Sequence, residues 1–168
     1  MNKCIFLDRD GVLNIERGDY TYLPEDFIIL ESVPEAIKKI KKAGYLAIVV
    51  TNQAGITKGV YTREQMQNCH DILMEKTGHL IDNIYYSPYH PTISKSLTRK
   101  PDTLMIEKAI AKYNIDPSES WLIGDRSRDI ECGQEMGLKT ILITDQKHHE
   151  CKPNFTALNL LDAVNKMF

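Results

Sequence analysis

The chain has 168 residues, of which 42% are hydrophobic and 26% are charged, and its formal net charge is −2. This composition predicts a single globular domain over residues 1–168 and excludes a disordered chain. The slight negative charge argues against a dedicated nucleic-acid-binding protein, and the lack of an apolar run of roughly 20 residues argues against a membrane span.

Short apolar runs alternate with helical patterns along the chain. Strands are predicted over residues 4–7, 46–50, 84–86, 121–123 and 140–143, and helices over residues 34–43, 62–76, 103–113, 129–136 and about 158–167. Thr62 and Gln65 have the spacing of a capping box at the start of the second helix. The alternation predicts an open, mainly parallel α/β sheet whose chemistry gathers at the carboxyl ends of its strands.

Two segments lack a clear period. Residues 14–32 follow the first predicted strand and residues 87–100 follow the third, so both leave the sheet at its carboxyl edge. They are interpreted either as walls of a substrate pocket or as irregular surface loops.

Two acids lie at the end of the first strand, in the segment Asp8-Arg9-Asp10-Gly11. Carboxylates next to an apolar strand are costly unless a charged group binds there. Gly11 supplies the backbone freedom that allows Asp10 to turn back towards the atom that Asp8 faces. The alternative is that the two acids only cap a loop.

The segment from Asp8 to Asn14 resembles the first motif of the haloacid dehalogenase (HAD) superfamily. Within it, the chain is most similar to the D,D-heptose 1,7-bisphosphate phosphatases and the histidinol-phosphatase domains, with four motifs in order up to about Thr144. The resemblance implies a three-layer, Rossmann-like HAD fold without a separate cap domain. It also implies a Mg²⁺-dependent phosphatase in which Asp8 is the nucleophile and Asp10 the general acid and base.

The second motif is Thr51-Asn52-Gln53, directly after the second predicted strand. A hydroxyl at a strand end can bind a phosphoryl oxygen without adding charge. The resemblance assigns Thr51 to the phosphate site and makes Asn52 a substrate contact, and Gln53 begins a loop that can reach the same anion.

The third motif is Arg99-Lys100-Pro101. Lys100 is expected to offer a compact positive charge to Asp8 and the transferring phosphoryl group. Arg99 can grip a phosphate or a sugar hydroxyl with its planar guanidinium group.

The fourth motif runs from Gly124 to Asp129 after the fourth strand. By resemblance, Asp8 and Asp125 bind Mg²⁺ through their side chains and Asp10 binds it through its backbone carbonyl. Asp129 is expected to order the loop or to bind through water. Arg126, like Arg128, either contacts the substrate or balances the nearby acids.

The chain departs from its relatives in one loop. Those families carry a zinc loop of the form C-x-H followed by C-x-C, where this chain has Ser87-Pro88-Tyr89 and Ser96-Leu97-Thr98. Hydroxyls are poor zinc ligands, so no structural zinc is expected. The loop should then be mobile or be held by packing of four residues, Tyr86, Tyr89, Ile93 and Leu97. The histidines His90, His148 and His149 are not expected to form a metal site.

The favoured substrate is D-glycero-D-manno-heptose 1,7-bisphosphate, with removal of the 7-phosphate through an aspartyl-phosphate. Histidinol phosphate or another sugar phosphate is the alternative, and a non-catalytic phospho-binding module is a remote one. Four scattered cysteines without CxxC spacing indicate reduced thiols and a cytoplasmic protein. A monomer or weak oligomer is expected.

Overall fold

A six-stranded sheet runs through the computed structural model, which describes residues 1–146 and 150–168. Its strands are β1 (Lys3–Leu7), β2 (Tyr45–Asn52), β3 (Asn83–Ser87), β4 (Trp121–Gly124), β5 (Lys139–Ile143) and β6 (Phe155–Ala157). All neighbouring strands are parallel, in the order β3-β2-β1-β4-β5-β6.

The helices are α1 (Val33–Lys42), α2 (Arg63–Lys76), α3 (Leu104–Tyr113), α4 (Ser127–Glu135) and α5 (Leu160–Met167), and a 3₁₀ helix covers Pro117–Glu119. None of the helices that the structure describes has both the length and the hydropathy required to cross a bilayer. The expected capping box is present, because Thr62 Oγ1 accepts from Gln65 N and Gln65 Oε1 accepts from Thr62 N.

The continuous apolar character of β1 follows from its burial on both faces. Ile5 and Leu7 join the hydrophobic cluster formed by α1, α2 and α5, whereas Cys4 and Phe6 join the cluster formed by α3 and α4. Successive side chains of a strand point to opposite faces, so both faces of this strand need apolar residues. The result is the expected three-layer arrangement, and Cys4 is fully buried.

All five strands and all five helices expected from the sequence are present, and their ends differ from the expectation by a few residues. The sequence missed β6, which extends the sheet beside β5 with Ile141 opposite Phe155. This edge strand has only three residues, and Phe155 is 48% exposed. It therefore lacks the apolar run by which a buried strand is found. His148 and His149 lie outside the described residues.

The strand order places the candidate site. β1 and β4 are neighbours, with Leu7 opposite Ile123, so the residues that follow the two strands meet at one edge. This is the point at which the strand order reverses, where open α/β sheets bind ligands. Between β1 and α1 the described backbone forms turns and isolated bridges, without a further helix or strand ladder.

Candidate active site

Lys100 lies between two buried carboxylates. Its Nζ is 2.9 Å from Asp8 Oδ1 and 2.6 Å from Asp129 Oδ1, and all three side chains are at most 6% exposed. Burial, followed by the negative charge of Asp129, raises the pKa of Asp8 to about 6, and the ammonium of Lys100 limits that rise. Burial alone would lower the pKa of Lys100, but the two carboxylates outweigh it and raise this pKa to about 12. Lys100 is therefore a fixed positive charge beside Asp8.

A third carboxylate completes the cluster. Oxygen atoms of Asp8, Asp125 and Asp129 lie within 4.8 Å of one another. Burial, followed by the charges of Asp8 and Asp129, raises the pKa of Asp125 to about 7. Gly11 permits this approach, since a Cβ there would lie 2.4 Å from Asp125 Oδ2. Three crowded carboxylates face the ammonium of Lys100 and the guanidinium of Arg126, which leaves an excess of negative charge and an all-oxygen donor set that fits a hard divalent cation.

Asp129 also orders the loop, as expected, because its Oδ2 accepts a hydrogen bond of 3.1 Å from Arg126 N at the start of α4. The carboxylate therefore joins the fourth motif to Lys100. Its full burial would be costly without these two contacts.

The carboxylate of Asp10 is oriented by three neighbouring side chains. Its Oδ1 accepts from Arg9 Nε at 3.2 Å, from Arg9 Nη2 at 2.9 Å and from Asn14 Nδ2 at 2.9 Å. Its Oδ2 accepts only from Gln53 Nε2, at 3.2 Å, among the described residues. Oδ1 is saturated by these donors, so Oδ2 is the oxygen with a lone pair left for a proton.

Sequence reasoning missed Arg9 as part of the site. Its side chain is 1% exposed, and its Nη2 also donates to the carbonyl of Thr21 in the first loop. The guanidinium lies 5.1 Å from the ring centroid of Phe27. A signal was available, since an arginine between two acids at the end of a buried strand is well placed to pair with one of them.

The second motif lies at the end of β2 and is mostly engaged with the protein. Thr51 is buried, and its Oγ1 accepts from Gln53 Nε2 at 3.0 Å. The side chain of Asn52 forms two 3.0 Å hydrogen bonds with the backbone of Lys100, one to its carbonyl and one from its N–H. The structure thus gives Asn52 a role in positioning Lys100, and its contact with substrate stays a prediction.

The two predicted arginines lie apart. Arg126 is half exposed and pairs with Asp125 at 3.3 Å and with Glu16 at 3.4 Å, so it balances acids in this structure. Arg99 donates to the carbonyl of Tyr89 at 3.2 Å and lines a different cavity, of about 540 Å³. Substrate contacts by either arginine stay predictions.

The loop in place of the zinc loop is held differently from the expectation. Ile93 and Leu97 are 57% and 68% exposed, so the alternative in which these two residues help to pack the loop is wrong. Instead, Thr98 Oγ1 lies 2.9 Å from Ser87 Oγ and 2.8 Å from Ser96 Oγ. The three positions at which the resemblance implies cysteines thus hold hydroxyls that are hydrogen-bonded to one another. Hydroxyls can both donate and accept, so these three side chains link the loop to the end of β3.

A cleft of about 380 Å³ opens over these groups. Its lining combines the acids of the first motif with the first loop and both arginines of the fourth motif: Asp8, Arg9, Asp10, Glu16, Gly18, Asp19, Tyr20, Thr21, Asn52, Gln53, Tyr61, Arg126 and Arg128. It holds the carboxylate of Asp8 and the carboxylate of Asp10, and the buried ammonium of Lys100 lies against Asp8. This combination, at the edge of a parallel sheet, is typical of HAD-type phosphohydrolases.

Comparisons with known proteins agree with this class. The HAD-hydrolase-like family model matches residues 97–163. A protein of Haemophilus ducreyi named D-glycero-beta-D-manno-heptose-1,7-bisphosphate 7-phosphatase is 39% identical, with 96% of each chain covered. The corresponding 7-phosphatase of Chlorobaculum tepidum is 36% identical, over 96% of this chain and 92% of its own length.

A solved structure shares the fold. The crystal structure of D,D-heptose 1,7-bisphosphate phosphatase from B. bronchiseptica, complexed with magnesium and phosphate, superimposes with a TM-score of 0.87 at 22% identity, covering 98% of this chain and 97% of that one. The two curated relatives, at 36% and 39% identity over 96% of this chain, show that the chain belongs to the heptose-bisphosphate-phosphatase family of HAD phosphatases. It is accordingly a phosphoric monoester hydrolase by family.

Proposed function

We propose that the protein is a Mg²⁺-dependent D-glycero-D-manno-heptose 1,7-bisphosphate 7-phosphatase. The observation that carries the reaction type is the pairing of Asp8, which lines the same cleft as Asp10, with the buried ammonium of Lys100 at 2.9 Å. The names of the relatives at 36% and 39% identity support the substrate.

The two carboxylates of the first motif divide the chemistry. The Asp8 carboxylate attacks phosphorus, so that an aspartyl-phosphate bond forms while the bond from phosphorus to the sugar oxygen breaks. Asp10 Oδ2 gives its proton to the departing alkoxide. It then takes a proton from the water that attacks the aspartyl-phosphate, which returns Asp8 and releases inorganic phosphate.

Lys100 lowers the repulsion between the attacking carboxylate and the phosphate dianion, because its charge is buried and cannot be lost at neutral pH. Thr51 lies at the end of the neighbouring strand and can donate its hydroxyl proton to a phosphoryl oxygen. Both groups are held before substrate arrives, so little reorganisation is needed during the reaction.

We assign Mg²⁺ to the cluster of Asp8 and Asp125, with the carbonyl of Asp10 as a further ligand. The crowding of the carboxylates and the close approach at Gly11 support this assignment. When bound, the ion supplies positive charge that offsets the charge of the phosphoryl group. Asp129 is engaged with Lys100 and the backbone of Arg126, which supports a role in ordering the loop.

The rim of the cleft supports a substrate with more than one anionic group. Arg126 and Arg128 line this rim. Burial, followed by the positive charge of Arg128, lowers the pKa of Arg99. We infer that a second phosphate of an extended sugar is held by this group of arginines.

The free thiols of Cys4, Cys69 and Cys132, all buried, support a cytoplasmic location. We also propose that residues 1–168 act as one catalytic domain, as a monomer or weak oligomer. These assignments stay predictions until the location and mass in solution are measured.

A panel of phosphate esters tests the function. Purified protein with Mg²⁺ should hydrolyse heptose 1,7-bisphosphate with a kcat/KM at least tenfold above histidinol phosphate and simple hexose phosphates. A preference for histidinol phosphate would reassign the substrate. Binding without turnover of any ester would favour the phospho-binding module and overturn the reaction as well.

A further inference from the structure

A hydrogen-bonded chain links a buried tyrosine to the acid and base of the reaction. Tyr61 donates its hydroxyl proton to Gln53 Oε1 at 2.6 Å. The same amide donates from Nε2 to Asp10 Oδ2 at 3.2 Å and to Thr51 Oγ1 at 3.0 Å. Gln53 therefore contacts Asp10, which would meet the leaving oxygen, and Thr51, which would meet a phosphoryl oxygen.

The orientation of the Gln53 amide decides whether a hydrogen-bond donor or an acceptor faces the carboxylate of Asp10. A glutamine amide can rotate by half a turn, which exchanges its donor and acceptor ends. In the rotated state Oε1 would face the carboxylate of Asp10, where it would repel the ionised form and would compete with the leaving oxygen for the proton of the acid form. The Tyr61 hydroxyl opposes this exchange, because it donates its proton to Oε1 while the backbone of Gly55 already donates a hydrogen bond to the hydroxyl oxygen. Burial, above all, raises the pKa of Tyr61, so the hydroxyl keeps its proton.

The surrounding residues pack closely around the ring of Tyr61. Tyr61 is 5% exposed and stacks on Tyr22 with ring centroids 5.1 Å apart, while Tyr20 meets it edge-on at 5.8 Å. On the other side, a Cβ at Gly55 would lie 2.1 Å from Tyr61 Cε1. The ring can reach Gln53 only because residue 55 has no side chain.

We propose that Tyr61 is a positioning residue for phosphoryl transfer, which acts by fixing the amide of Gln53 so that Asp10 Oδ2 stays aimed at the leaving oxygen. This inference rests on the proposed role of Asp10 as acid and base. Gln53 directly orients Asp10, and the sequence had assigned it only to the substrate. The lack of a side chain at Gly55 is the local feature that allows the Tyr61 ring to contact Gln53.

The leaving group separates this role from simple packing. A sugar alkoxide needs a proton as it departs, whereas p-nitrophenolate is a weak base and departs with little help. In kcat/KM, which reports the steps up to departure, Tyr61→Phe should lose about tenfold on the best sugar phosphate of the panel. It should change by less than about twofold on p-nitrophenyl phosphate. Gly55→Ala displaces the ring and should show the same selective loss.

Tyr22→Phe is the matched control, since it removes a hydroxyl from the same stack without touching Gln53. It should leave both activities and the thermal midpoint near those of the wild-type protein. Equal losses on both esters in Tyr61→Phe, or no loss on either, would overturn the positioning role while wild-type turnover still supported the phosphatase. A wild-type protein that hydrolyses neither ester would overturn both proposals.

Discussion

Replacing Asp125 with asparagine tests whether the carboxylate cluster is strained in the absence of a cation. Burial, followed by the charges of Asp8 and Asp129, raises the pKa of Asp125 from 3.8 to about 7. A carboxyl group whose folded-state pKa is raised is penalised when it ionises. The penalty is absent below pH 3.8, grows as the pH rises towards 7, and is complete above pH 7.

The size of the effect follows from the same values. At 1.36 kcal/mol per pH unit, the raised pKa corresponds to about 4 kcal/mol of destabilisation at pH 8. Asparagine removes the charge but brings an amide that needs partners of its own, so Asp125→Asn should stabilise the metal-free protein by about 2–4 kcal/mol at pH 8. At pH 4.5 the gain should fall below about 1 kcal/mol, because the wild-type carboxyl then keeps its proton in the folded state.

Urea unfolding with a chelator at the two pH values measures both differences. Adding Mg²⁺ at pH 8 should stabilise the wild-type protein and should add little stability to Asp125→Asn. The matched control is Asp162→Asn, where a hydrogen bond from the backbone of Leu158 lowers the pKa. That change should have the opposite sign and destabilise the protein at pH 8. If Asp125→Asn were less stable than the wild-type protein at pH 8 without metal, the cluster would not be strained and the reasoning would be refuted.

Three further substitutions test separate parts of the site. Asp8→Asn should abolish phosphatase activity, measured by phosphate release, and leave the circular dichroism spectrum unchanged. Lys100→Met should lower stability by about 3 kcal/mol in urea at pH 8, because it leaves two buried carboxylates without their partner. Thr98→Val removes the hydroxyl that joins Ser87 and Ser96, and should cost about 1–2 kcal/mol and increase proteolysis of the loop.

Specific results would contradict each expectation. Full activity in Asp8→Asn would exclude Asp8 as the nucleophile. Unchanged stability in Lys100→Met would show that the two carboxylates share a proton rather than depend on the ammonium. For the loop, Ser94→Ala is a control outside the hydroxyl cluster, and equal proteolysis of both variants would mean that the cluster does not hold the loop.

The sequence by itself determined the order of the main elements and identified the acids that are candidates for the site. Strand and helix patterns have a local cause, since a strand such as β1 that is buried on both faces must be apolar throughout. Motifs at strand ends also meet by a general rule of parallel sheets, so Asp8 and Asp125 could be placed together before any coordinates were known. The sequence did not predict the short edge strand β6, because little of its surface is buried.

Only the tertiary structure decided the partners of the polar groups. Three hydrogen bonds show this: Arg9 to Asp10, Asn52 to Lys100 and Tyr61 to Gln53. Each depends on where the folded chain points the side chain, and no periodic pattern in the sequence predicts it. Hydrogen bonds are short and directional, so a side chain's type does not say which neighbour it will meet. The sequence could therefore name the acids of the site, whereas the folded chain alone showed which oxygen of Asp10 is left to carry a proton.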